Sequence, residues 1–227
     1  MRGQCTMVVA AGGSGLRFGG DKLAEPLAGR PLLWHTLHAL DAAPSVTAMV
    51  VAARADAVDW VRALCLPLAT PVTVVPGGAS RLESVLAGVD AVEAGCPFIG
   101  VHDAARPLVS AELIAAVLAA AEESGAAIPA LPVTDTIKTA SDGFVTATPD
   151  RAALFAVQTP QIFAAPLLRR ALRAAWVNAL PVTDDASAVE ALGHPVRLVP
   201  GERVNTKITT RVDLLYATLF LSGRDTT

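Results

Sequence analysis

Between Ala10 and Leu33 the chain reads AAGGSGLRFGGDKLAEPLAGRPLL, with five glycines in the nine positions Gly12 to Gly20 and a charged pair, Asp21 and Lys22, directly after them. Bare backbone N–H groups can approach anionic oxygens closely, and positive φ costs glycine nothing, so such a loop after a strand is suited to cradling phosphates. Arg17 and Lys22 would add cationic side chains beside that backbone. Two familiar loops are excluded. A Walker loop closes on Gly-Lys followed by Ser or Thr, which this stretch lacks. A G-x-G-x-x-G fingerprint starting at Gly13 and Gly15 meets Phe18 at its third glycine position, and the second apolar strand ends in Ala53-Arg54 where an acid would hold a ribose. A nucleotide-phosphate loop of another kind remains, or, for this segment alone, a merely flexible loop.

Four more stretches carry candidate chemistry. In VHDAARP (101–107) Asp103 ends an apolar strand, where a carboxylate can hold Mg²⁺ together with phosphate oxygens and water, and Arg106 could clamp a phosphate bidentately. The alternative is that Asp103 simply caps a turn. PGGASRLESV (76–85) sets Gly77 and Gly78 after a strand and Arg81 and Ser84 at a helix start, which suits a base edge or a ribose. PVTDTIK (132–138) and PDRAALFAVQTPQIF (149–163) carry Thr136, Lys138 and Arg151. TDDASAVE (183–190) and NTKIT (205–209) carry Thr183 and Lys207, which by themselves read as a helix cap and a surface lysine.

The elements that must position these residues alternate. TMVVAA (6–11), TAMVVAA (47–53), PVTVV (71–75), PFIGVHD (97–103) and AAIPALPV (126–133) read as strands, with helices near 31–42, 55–66, 81–94 and 110–124 between them. That rhythm predicts right-handed βαβ crossovers and a mostly parallel α/β sheet with helices on both faces, which binds ligands at the carboxyl ends of its strands. The polar stretch 134–151 breaks it, with an SDG turn at 141–143, and predicts a projecting hairpin: a surface excursion or a dimer arm. Helices return near 164–178, 185–192 and 211–222, with a short strand at 196–200. No linker divides the 227 residues, so a single domain is expected.

Composition agrees with this layout. Hydrophobic residues make up 52% of the chain and aromatic ones 4%, so the core must be built from Ala, Val and Leu. A net charge of −3 gives no basic excess for nucleic acid or an anionic membrane surface, and the cations an anionic ligand needs must be gathered locally. Three cysteines, Cys5, Cys65 and Cys96, form neither a CxxC nor an even set, which speaks for a reducing compartment. With no signal-peptide pattern and no apolar run approaching about 18 residues, a soluble cytoplasmic protein is expected.

The motifs AAG…G.R…K…PL, GG…R..SV, HDAARP, DTIK, DR..L…QTPQ.F, TDDAS..E and N.KIT…DL occur in this order over nearly the whole chain. Together they resemble the 2-C-methyl-D-erythritol 4-phosphate cytidylyltransferases, Rossmann-like nucleotidyltransferases of the non-mevalonate isoprenoid pathway. Ribitol-5-phosphate cytidylyltransferases are similar almost as closely. The first loop departs from the pattern, reading AAGGSG where the family has AAGxG and KLAEPL where it tends to KQFLPL. There it is more like the loops of molybdenum-cofactor guanylyltransferases.

The resemblance implies attack by a sugar-alcohol phosphate on the α-phosphorus of CTP with expulsion of pyrophosphate. The glycine loop, including Gly13 and Gly15, would hold the triphosphate with Arg17 and Lys22. Lys22 and Lys207 would flank the α-phosphate, and Asp103 would coordinate Mg²⁺. Ala10, Ala11, Gly12, Gly77, Gly78 and Ser84 would form the cytosine pocket, with Arg81 and Ala104 completing the nucleotide site. Arg106, Thr136, Arg151 and Thr183 would bind the acceptor, and the 134–151 arm would make a homodimer. The four histidines have no part in this scheme. A nucleotide-sensing domain without activity is disfavoured, since it has no need of cations on both sides of a scissile phosphate.

Overall fold

The computed structural model describes residues 3–13 and 21–224, apart from the side chain of Arg224; the expectations placed on Gly15 and Arg17 lie outside these residues. Strand β1 (Cys5–Ala11) leads into the glycine loop. A tight hairpin of β2 (Pro26–Leu27) and β3 (Arg30–Pro31) precedes α1 (Leu32–Asp41). Then come β4 (Val46–Ala53), a 3₁₀ turn with α2 (Val58–Cys65), β5 (Val72–Pro76), α3 (Arg81–Asp90), β6 (Phe98–Asp103), α4 (Ala111–Ser124) and β7 (Ala126–Pro132). The expected hairpin forms as β8 (Thr139–Ser141) and β9 (Phe144–Ala147), a small sheet of its own. The chain continues through β10 (Phe155–Val157), β11 (Gln161–Ala164), α5 (Ala165–Val177), α6 (Asp185–Glu190), β12 (Arg197–Pro200) and α7 (Arg211–Arg224).

Local chemistry sets the helix ends. The Ser80 and Ser110 hydroxyls accept the N–H groups of Glu83 and Leu113 at the starts of α3 and α4, satisfying donors that the helix leaves open. Gly125, at φ 80°, ends α4 in the left-handed conformation and turns the chain directly into β7.

In the main sheet β1 lies parallel between β4 and β6, and β5 extends it beyond β4. Met7 and Val9 pack on one face with Leu33, Leu37, Val61, Ile114 and Val117. Val8 packs on the other with Val85, Val89, Leu168 and Leu172. Both faces of β1 are therefore sealed by helices, which is why its residues read as an unbroken apolar run. Burial pushes the Cys5 thiol up to about 12, so it behaves as a small apolar side chain in this strand.

The sheet departs from the expected pattern in one region. β11 runs antiparallel between β6 and β7, pairing Val101 with Gln161 and Ala127 with Ile162. β10 runs antiparallel along β7, and β12 pairs parallel with β7 on its opposite edge. The sequence did not separate these short strands from the polar stretch before them. They hold three and four residues, and the break between them contains the cis Thr159–Pro160 bond. Among the described residues no helix is long and apolar enough to cross a membrane.

Small residues let the helices approach the sheet closely. A Cβ on Gly88 of α3 would lie 2.5 Å from Val8 Cγ1, and the branched side chain of Val8 has few rotamers with which to yield. Gly88→Ala gains about 1 kcal/mol of helix propensity but overpacks the α3–β1 seam by about 1–3 kcal/mol. The expected result is a lower urea midpoint with an unchanged m value, and an unchanged or raised midpoint would show that the seam has slack.

Candidate active site

β6 delivers Asp103 to the carboxyl edge of the sheet, and its surroundings hold it there. The Asp103 N–H donates to Thr159 Oγ1 at 3.0 Å. The next residue, Ala104, donates to Ala10 O of β1 at 3.3 Å and accepts from Thr36 Oγ1 of α1 at 2.7 Å. The carboxylate faces three cations: Oδ2 lies 2.8 Å from Lys207 Nζ and 3.5 Å from Arg106 Nε, and Oδ1 lies 3.8 Å from Arg81 Nη2. Burial pushes the Asp103 carboxyl up, but Lys207, Arg81 and Arg106 outweigh it and bring the group down to about 2. Asp103 does begin a turn, its carbonyl accepting the Arg106 N–H at 3.1 Å, but its carboxylate faces the cations, and the cap of α4 is Ser110.

Two glycine-bearing strand ends meet beside it. A Cβ on Gly12, after β1, would fall 2.8 Å from Ser84 Oγ, and one on Gly77, after β5, would fall 2.7 Å from the same atom. Ser84 accepts from the Gly78 N–H at 3.1 Å and donates to Ser80 O at 2.9 Å, so its hydroxyl ties the second loop to the first turn of α3. Lys22 lies in the turn after the glycines, where its neighbour Asp21 pairs with Arg54 at the end of β4 at 3.2 Å. The position that lacked a ribose-binding acid is thus taken by an arginine that anchors the lysine turn.

A second layer holds the cations. Arg81 forms a two-point pair with the buried Asp185, at 3.2 and 2.7 Å. Asp184 caps α6 and accepts from Gln161 Nε2 at 2.7 Å, and Gln161 Oε1 accepts the Ala186 N–H at 3.0 Å. His102 is fully buried; burial pushes its imidazole down to about 4. Its Nε2–H donates to Arg106 O at 3.1 Å, which leaves Nδ1 to accept from the Thr159 hydroxyl at 3.1 Å. His102 thus has a structural place behind the site, bracing the Arg106 backbone and Thr159. His35 and His38 donate to backbone carbonyls of Leu27 and Trp34 and do not converge on a metal.

The sequence-derived residues divide accordingly. Lys207, Asp103, Arg81, Arg106 and Ala104 cluster, and Gly12, Gly77, Gly78 and Ser84 join the two loops. Ala10 and Ala11 close β1 beside them, and Gly13 is exposed just beyond. Arg106 has partners other than a phosphate: its guanidinium donates to Asn205 O at 2.8 Å and Val157 O at 3.4 Å. Thr136 and Arg151 are exposed on the arm, where Arg151 donates to Thr134 O, and no described hydrogen bond or ion pair joins either to the Asp103 cluster. Thr183 is exposed ahead of the α6 cap. His102, Thr159, Gln161, Asp185 and Asn205 were missed. They are polar residues inside apolar surroundings, and the strings HDAARP, QTPQ, TDDAS and NTKIT were the signal for them.

The sequence profile of IspD, 2-C-methyl-D-erythritol 4-phosphate cytidylyltransferase, matches residues 5–223. The chain belongs to this cytidylyltransferase family. The Synechococcus elongatus enzyme of that name is 44% identical over 97% of both chains. The crystal structure of the Thermus thermophilus cytidylyltransferase is 36% identical and superposes with a TM-score of 0.81 over 96% of this chain and 99% of that one. The Anaerococcus prevotii 4-diphosphocytidyl-2C-methyl-D-erythritol synthase, at 28% identity, gives 0.86 over 97% of this chain and 99% of that one. The fold as a whole is thus shared with solved cytidylyltransferase structures.

The low Asp103 pKa has a consequence for stability. In the fold this carboxylate stays ionised down to about pH 2, whereas in the unfolded chain it takes its proton near 3.8. Its contribution, on the order of 2 kcal/mol, is complete above the unfolded value, falls to about half by pH 3 and vanishes through the folded value. The urea-midpoint gap between wild type and Asp103→Asn is therefore expected to shrink as pH is lowered. A gap that stays level across that range would mean that the three cations do not stabilise the carboxylate.

Proposed function

We propose that the chain joins CTP to 2-C-methyl-D-erythritol 4-phosphate, giving 4-diphosphocytidyl-2-C-methyl-D-erythritol and pyrophosphate. The observation that carries the reading is the cluster of Lys207, Arg81 and Arg106 around Asp103 at the sheet edge, beside two glycine loops. In a chain of net charge −3 this gathers positive charge at one place. Two polyanions must meet in this reaction, so repulsion and alignment dominate the barrier. The attacking phosphate oxygen is already ionised and needs no base. It forms a bond to the α-phosphorus while the bond to the β-phosphate oxygen breaks and pyrophosphate leaves with the electron pair.

Lys22 and Lys207 flank the α-phosphate in this scheme and stabilise charge that grows in the transition state. In this scheme the cytosine lies against the backbone of Gly12, Gly77 and Gly78, with Ser84 packed so closely on the first two that only glycine fits there, and with Arg81 and Ala104 at its border. The donor chemistry fits Mg²⁺: Asp103 offers one carboxylate, and no cluster of three or more ligating side chains exists among the described residues, so phosphate oxygens and water would complete the shell. Asp103 would hold the ion, which when bound would neutralise charge on the triphosphate. Thr183 approaches the acceptor from this chain, and Thr136 and Arg151 lie on an arm that would reach a second copy, while Arg106, engaged by Asn205 O, Val157 O and Asp103, supports the site from within.

The assay is pyrophosphate release with matched donors and acceptors. CTP with methylerythritol phosphate is expected to turn over at least about 10-fold faster than GTP with the same acceptor or CTP with ribitol 5-phosphate. Comparable rates with GTP would overturn the base assignment, and preference for ribitol 5-phosphate would overturn the acceptor.

The arm carries its own test. Phe144 is 78% and Val145 62% exposed on a two-stranded hairpin that is marginal in water unless something covers it. Sedimentation at micromolar concentration is expected to give a dimer for wild type and a monomer of reduced activity for Phe144→Asp. A fully active wild-type monomer would remove the arm from the site.

A further inference from the structure

Lys207 occupies a stretch without regular structure, between β12 and α7, yet its ammonium sits 2.8 Å from Asp103. A long flexible side chain on irregular backbone holds one position only if the backbone is pinned, since otherwise the pairing must overcome the entropy of ordering it. One pin lies after the lysine, where the Ile208 N–H donates to Ala105 O at 2.8 Å and the Ile208 side chain is buried beside Leu27, Leu32 and Leu108. The other lies two residues before it. Asn205 is fully buried, its Nδ2 donates to Thr159 O at 2.8 Å, and its own carbonyl accepts from Arg106 Nη1 at 2.8 Å.

These bonds close a circuit. Asp103 N–H donates to the Thr159 hydroxyl, the Thr159 carbonyl accepts from the Asn205 amide, and the Asn205 carbonyl accepts from Arg106. Arg106 Nε then lies 3.5 Å from the Asp103 carboxylate. Asn205 is the member of this circuit on the segment that bears Lys207. Its side chain ties that segment to the same residue, Thr159, that fixes the Asp103 backbone. We infer that Asn205 is a positioning residue for the cytidylyl transfer, acting through Lys207: its amide sets the register of the lysine against Asp103 and hence against the α-phosphate. The inference rests on the activity proposed above and on the role given there to Lys207.

A double-mutant cycle measured by pyrophosphate release from CTP and methylerythritol phosphate tests it. Asn205→Ala in the wild-type background is expected to lower kcat about 10- to 100-fold with KM for CTP changed less than about 3-fold, because the misplaced lysine is missed mainly in the transition state. In a Lys207→Met background the same substitution is expected to cost less than about 3-fold in residual activity, since the group it serves is gone. Asn205→Ser, whose shorter hydroxyl can donate toward Thr159 O through a small shift, is expected to recover part of the loss. An equal factor in both backgrounds, a loss confined to KM, or wild-type kcat in Asn205→Ala would overturn the inference. So would failure of both the Ala and Ser variants to fold, which would assign Asn205 to the fold rather than the lysine. A wild-type chain that releases no pyrophosphate would instead count against the proposed activity.

Discussion

A carboxylate taken out of water must be compensated, and Asp103 is compensated three times over. Leaving such a charge unpaired costs several kcal/mol, so Lys207, Arg81 and Arg106 cannot drift away from it without penalty. Much of the local architecture follows from that constraint. Arg81 is held in turn by Asp185, Asp185 lies at the start of α6, and the Asp184 cap of α6 is gripped by Gln161 of β11. Arg106 binds the segment that carries Lys207. One buried negative charge thereby adds a polar tie among β6, α3, β11, α6 and the segment before α7, over a sheet pairing and an apolar core that already bring β6, β11, α3 and α6 together.

The same constraint explains how a chain of mildly acidic composition can handle two anionic substrates. The cations are paired inside the protein, so they do not repel one another while the site stands open, and an incoming phosphate can share partners that are already in place. Electrostatic preorganisation of this kind places the cost of gathering like charges in folding rather than in the reaction.

The layered frame was legible because its signals are local. β1, β4, β5, β6 and β7 are apolar runs bounded by turn residues, and the helices between them repeat Ala and Leu at helical spacing. The hairpin announced itself through Ser141-Asp142-Gly143. β10 and β11 were not legible, since strands this short owe their existence to the edges of β6 and β7 and not to their own sequence. The site was half legible. Asp103, Lys22 and Lys207 stood out as charges at strand ends or in motif order, whereas Thr159, Gln161, Asp185 and Asn205 act through partners distant in sequence. No pattern within a window of ordinary length encodes a bond from residue 205 to residue 159.

The insertion of β11 between β6 and β7 also bears on how the chain is made. The first of those strands is complete at Asp103 and the second at Pro132, yet the strand that joins them is not synthesised until Gln161–Ala164. Until then a nascent chain holds two apolar strands with facing, unpaired edges, a state open to mispairing with other chains. The seam then closes from within, with Ile162 and Phe163 filling both faces. An amino-terminal fragment ending in the arm would therefore carry most of the sheet and still lack the piece that makes it one.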